Sequence, residues 1–169
     1  METREYILTE FEGLQSDFDS ALDGVTQAEM AWRPSAACNP MGLILFHTAR
    51  TEDIYVQELM RGQPQVWEKG KWYVRFNREE KDRGRHYNAD QVNAFIVPEP
   101  SELLAYCAAV RAQTLDYLKT LKPADFDREV TTPRVKTTVG WFFSDIVSHA
   151  AQHLGEVSYL CGLQRGTNK

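Results

Sequence analysis

Trp141-Phe142-Phe143-Ser144-Asp145-Ile146-Val147-Ser148-His149-Ala150-Ala151-Gln152-His153-Leu154-Gly155-Glu156-Val157 holds both the strongest helical pattern and the densest chemistry of the chain. Phe142, Phe143, Ile146, Val147, Ala150, Leu154, Val157 and then Leu160 recur at spacings of three and four, the signature of a helix with a wide apolar face. The pattern predicts a helix that starts between Thr138 and Trp141 and is capped by Gly162. His149 and His153 lie one turn apart on it, so their imidazoles share a face and border the apolar side. A buried imidazole needs partners for both ring nitrogens, and one metal ion can satisfy a nitrogen on each ring. The spacing is that of the HExxH zinc peptidases, but Ala150 stands where their general base would be, which excludes that chemistry.

Outward from this segment, three more stretches have a helical period. Ile7, Phe11, Leu14, Phe18 and Leu22 predict a first helix ending near Gly24, followed by a capping box, Thr26 to Glu29, that opens a short helical turn. Asn39 as N-cap and Pro40 at the first helical position start a second helix. Its inward stripe is Ile44, Thr48, Thr51, Tyr55 and Leu59, with His47 at the edge, and Gly62 and Pro64 stop it. A third runs from about Pro100–Leu103 to Pro123, with Leu104, Cys107, Arg111, Leu115, Leu118 and Leu121 on its apolar face. About 40 residues of weak period separate the second from the third, too long for an idle loop. Their aromatics, Trp67, Trp72, Tyr73, Phe76, Tyr87 and Phe95, indicate a segment that packs down on the helices, with a short helix at Asp90–Ile96. Val130–Pro133 and Val135–Thr138 read as an extended pair. The expected fold is all-α: a four-helix bundle with a long connection between helices 2 and 3, forming a single domain over residues 1–169.

The 169 residues carry 19 Lys and Arg against 24 Asp and Glu, a net charge of −5, and so lack the cationic footprint of a nucleic-acid binder. No apolar run approaches the roughly 20 residues of a membrane span, and the N-terminus has no signal-peptide h-region. Cys38, Cys107 and Cys161 are odd in number and form no CxxC, which fits a reducing, cytoplasmic setting. If the second and fourth helices are neighbours, His47 joins His149 and His153, and three histidines leave coordination room for a substrate. The plainer alternative is three hydrogen-bonded core histidines.

The segment Trp141–Val157, with its HxxxHxGE-type pattern, resembles the last helix of the DinB-like (damage-inducible) four-helix-bundle metalloproteins. Met41 to Glu52, with His47 inside it, is similar to that family's second helix, and Trp32-Arg33-Pro34 to the element before it. The resemblance covers essentially the whole chain. It implies a divalent metal, zinc or nickel, held by His47, His149 and His153. Some members of the family transfer low-molecular-weight thiols to electrophiles, and others isomerise or hydrolyse small molecules. The implied activity is therefore that of a metal-dependent enzyme on a small-molecule substrate, thiol S-transferase-like. The alternatives are a metal-assisted hydrolase and a non-catalytic bundle in which the metal only ties helices together.

Other residues near this constellation have competing readings. Glu156 shares the histidine face and is a candidate to orient an imidazole or act as a base; a surface carboxylate is the bland alternative. His86 is a candidate fourth ligand or proton shuttle, or an exposed loop histidine. Arg75, Arg78, Lys81, Arg83 and Arg85 could draw in an anion, although Glu79, Glu80 and Asp82 nearly cancel them. Glu52 and Asp53 read as solvated surface charge, Gln152 and Asp145 as weak candidates to support a ligand, and Cys107 and Cys161 as packing residues. Tyr6, Phe11 and Phe18 exceed what one buried stripe needs, so a homodimer through the first helix is expected.

Overall fold

The computed structural model describes residues 2–132 and 136–166. Helix α1 spans Thr3–Leu22 and stops before Gly24, whose φ of 62° turns the chain. The expected capping box starts α2 (Gln27–Ala31): Thr26 Oγ1 accepts from the Glu29 N–H, and the Glu29 carboxylate accepts from the Thr26 N–H at 2.8 Å. Helix α3 (Met41–Asp53) begins one residue later than the sequence pattern predicts. The Pro40 carbonyl accepts from both Leu43 and Ile44, so Pro40 is itself the cap and Asn39 lies outside. After Asp53 the helix widens into a π-helical stretch, Ile54–Met60, in which the Arg61 N–H reaches back five residues to the Val56 carbonyl at 3.2 Å.

The long connection contains α4 (Val66–Lys69), α5 (Trp72–Arg75) and α6 (Ala89–Asn93), the last capped by Asn88 and covering part of the helix expected at Asp90–Ile96. It does pack down: Trp67, Trp72, Phe76, Phe95 and Val97 are all buried in one cluster with Phe46 and Tyr106. Helix α7 covers Pro100–Thr120. A 3₁₀ turn at Pro123–Asp127 leads to strands β1 (Glu129–Thr131) and β2 (Lys136–Thr138), antiparallel with Val130 opposite Thr137. Pro133 and Val135 of the expected extended pair lie outside the described residues. Helix α8 runs over Val139–Arg165. Gly162 is inside it; Gly166, at φ 86°, closes it by donating to the Gly162 carbonyl.

The four long helices form a ring in which α3 lies against α7 and α8, and α1 against α8 and α7. This is the expected all-α bundle, and it supplies the α3–α8 contact that a shared histidine site requires. The stripe predicted for α1 is buried at Ile7, Phe11, Leu14 and Leu22, while Tyr6 is exposed and Phe18 only partly covered.

Two faces differ from the pattern. On α7 the deepest residues are Leu103, Tyr106, Val110, Thr114 and Leu118, one position before most of those predicted, because Tyr106 and Thr114 do not register as apolar in a hydropathy count. On α3 there is no outward face: every residue from Met41 to Asp53 except His47 is buried. Glu52 and Asp53, read above as surface charge, are 4% and 0% exposed because partners from elsewhere in the chain neutralise them. Arg111 of α7 grips Glu52 with two bonds of 3.0 and 2.8 Å. Asp53 accepts from the Val66 and Trp67 amides, the Tyr106 hydroxyl and Arg50. Four donors offset much of the cost of burying the Asp53 carboxylate, although burial still leaves its pKa raised.

Candidate metal centre

α3 presents His47 where it faces α8, and α8 presents His149 and His153 one turn apart. The three rings meet with centroids 4.4–5.0 Å apart. His149 Nε2 lies 3.0 Å from His47 Nε2 and 3.1 Å from His153 Nε2. These residues offer ligand atoms that all fall within 4.8 Å of one another, and they form the one such cluster among the described residues.

The hydrogen bonds behind the rings fix which nitrogen faces inward. His47 Nδ1 is 2.8 Å from the Gly84 carbonyl, which can only accept, so Nδ1 carries the proton and Nε2 keeps its lone pair. His153 Nδ1 donates to Glu156 Oε2 at 2.8 Å, with the same consequence for its Nε2. His149 Nε2 faces both lone pairs and has at most one proton to give. At least one of the two close contacts therefore has no hydrogen bond to support it, whatever the neutral tautomers. Protonating His149 is no remedy, since burial and then the charges of His153 and His47 push its pKa down to about 4. Burial likewise lowers the pKa of His47, although the Gly84 bond works against it. A cation among the three nitrogens removes the conflict. The observed separations also suit one: zinc–nitrogen bonds of roughly 2.0–2.1 Å at a tetrahedral angle hold ligand nitrogens about 3.3 Å apart.

Gly84 is part of this device. Its φ is +65°, and a Cβ there would lie 2.9 Å from Arg50 Cγ and 3.1 Å from Phe46 Cε1. Only glycine lets the connection lie close enough to α3 to bring a carbonyl to His47. Because it is a backbone acceptor, hydropathy and motif spacing carry no signal for it.

The triad opens on a cavity of about 420 Å³ between α3, α8 and the connection. Leu43 and Ile44 supply its apolar wall; Thr51, Tyr55, Glu156 and residues 84–87 supply the polar remainder. Tyr55 has its hydroxyl pKa raised by burial and then by Asp145. His86, at φ 59°, is exposed on the rim and lines the cavity without joining the ligand cluster. Gln152 is exposed on α8. Cys107 borders a different cavity of about 310 Å³ between α1, α3 and α7, and burial pushes its thiol up to about 12, far from a reactive thiolate.

The model of the DinB superfamily matches residues 10–157. The structure is similar to the crystal structure of a conserved protein from Enterococcus faecalis, with a TM-score of 0.85 and 21% identity over 99% of each chain; at that identity the likeness speaks for the fold alone. Comparison with curated protein sequences finds no match.

Proposed function

Because the chain belongs to the DinB superfamily, we propose that it is a divalent-metal-dependent enzyme acting on a small molecule, with His47, His149 and His153 holding zinc or nickel. The observation that carries this is the convergence of three Nε2 atoms, two of them stripped of protons by Gly84 and Glu156. A divalent ion held by His47, His149 and His153 would keep its full charge among three neutral ligands and would supply the acidity that turns a thiol or water into a nucleophile near pH 7.

The protein's own groups do the rest. Gly84 and Glu156 hold two ligand rings in their working tautomers. Leu43 and Ile44 offer an apolar surface to the body of a substrate. His86 sits at the rim, where an imidazole can exchange protons between cavity and solvent. A structural metal site is usually closed by four protein ligands; here three ligands face a cavity, which favours catalysis over a mere clamp.

Thiol transfer to an electrophile is the reaction we favour, because the resemblance to the thiol-transferring DinB-like proteins points there and zinc and nickel both bind sulfur well. Three free cysteines fit a cytoplasmic protein, and no described helix is long and apolar enough to cross a membrane. The test is turnover of a panel of electrophiles with low-molecular-weight thiols by metal-loaded protein. Activity that disappears in His149→Ala supports the proposal; full activity in that variant once stripped of metal contradicts it. Hydrolysis without thiol would reassign the reaction to metal-assisted hydrolysis.

A further inference from the structure

The described arginines are, with one exception, engaged. Arg50, Arg78, Arg83, Arg111 and Arg165 each pair with a carboxylate, and the other described arginines reach a carbonyl, an amide or an exposed acid. Arg85 is the exception: among the described residues it makes no hydrogen bond or ion pair, yet it is half-buried and lines the cavity of the histidine triad. It stands where the triad cavity meets a second one formed by residues of the connection, partly covered rather than free in solvent. It is also fixed in place. It directly follows Gly84, whose carbonyl is bonded to His47, and both neighbours, Gly84 and His86, have left-handed backbone. Of the acids that line these cavities, Glu156 holds His153 and Asp82 holds Arg78, and Glu79 is exposed and makes no ion pair with Arg85.

A guanidinium that is partly desolvated and lacks a counter-ion is an anion site in waiting, and its planar fork suits a carboxylate. We propose that Arg85 binds the carboxylate of a small-molecule substrate or co-substrate whose reactive group lies at the histidine triad. This assigns the substrate class of the pocket and rests on the reading of that pocket as the substrate site. Its neutral or cationic analogues are disfavoured because they leave Arg85 unpaired.

Cobalt-loaded protein provides the test, since thiolate binding to cobalt gives an absorption band whatever the turnover. Titration with 3-mercaptopropionate and with 2-mercaptoethanol compares the same head group with and without a carboxylate. Wild type should bind the charged thiol roughly tenfold more tightly, as one charge-assisted hydrogen bond allows. Arg85→Gln should remove the preference and Arg85→Lys should keep part of it. Equal affinities in wild type, or a preference that survives in Arg85→Gln, overturn the assignment while leaving the metal reading intact. If no thiol reaches cobalt, the metal reading falls. Propionate titrated into metal-free protein, followed by the backbone amide resonances of residues 84–87, then decides alone. Saturable shifts in wild type that are lost in Arg85→Gln keep the assignment, and identical responses end it.

Discussion

At His153 the bond from Nδ1 to Glu156 Oε2 selects the nitrogen that faces the cavity, and at His47 the Gly84 carbonyl does the same. Partners of this kind typically contribute tenfold to hundredfold in metal affinity. Glu156 is exposed and makes no other hydrogen bond or ion pair among the described residues. Glu156→Ala should therefore weaken zinc binding by roughly that factor in a chelator competition, while the unfolding free energy of the metal-free protein stays within about 0.5 kcal/mol. His149 has its own signature. Burial and the neighbouring histidines push its pKa in the folded chain down to about 4, below the ordinary imidazole value of 6.5, so between those values the unfolded chain binds a proton that the folded chain does not. Stability of the metal-free protein is therefore complete above pH 6.5 and falls with pH through about 4. Urea midpoints from pH 7 to 4 should fall less steeply in His149→Gln than in wild type, and equal slopes would count against the buried neutral ring.

Among the elements, α3 does the most work. It is buried except at His47, with Leu43, Ile44, Leu45, Phe46 and Ala49 in one core cluster, Val56 and Met60 of the π-helical stretch that continues it in the other, and the polar stretch Arg50–Asp53 between them. Asp53 joins α3 to the connection and to α7 at once. Asp53→Ala would take the buried counter-ion from Arg50 and the acceptor from the Tyr106 hydroxyl and two amides, a loss of about 3–5 kcal/mol by the usual cost of breaking a buried pair; equilibrium urea unfolding measures it. The same element shows what sequence could and could not reveal. Helices α1 and α8 were legible because each has an apolar stripe and a solvated side. Glu52 and Asp53 were not, because the groups that make their burial tolerable lie 59 residues away for Arg111 and 53 for Tyr106. The one-residue error on α7 has a related origin: the side that includes Leu104, Cys107 and Arg111 borders a cavity, not the deepest core. The π-helical end of α3 leaves no mark in residue periodicity.

On the scale of the molecule, the histidines come from positions more than 100 residues apart and meet because α3 and α8 are neighbours in the ring. Spacing places two of the three rings together; His47, at the edge of the second helix's inward stripe, joins them only if the two helices are neighbours, which a hydropathy pattern does not state and the family resemblance implies. The connection closes the assembly. Trp67, 0% exposed, anchors it under Arg50 and Phe46, and this anchorage carries Gly84 to His47 and Arg85 to the cavity. A metal ion at the triad would join α3 and α8 directly and the connection through Gly84.

The most direct measurement is calorimetric titration of zinc into chelator-stripped wild type and His149→Ala, with the ions bound per chain as the readout. We expect one tightly bound ion per wild-type chain and none in the variant. A wild type that takes up no ion, or a variant that binds as wild type does, would contradict a metal centre at His47, His149 and His153.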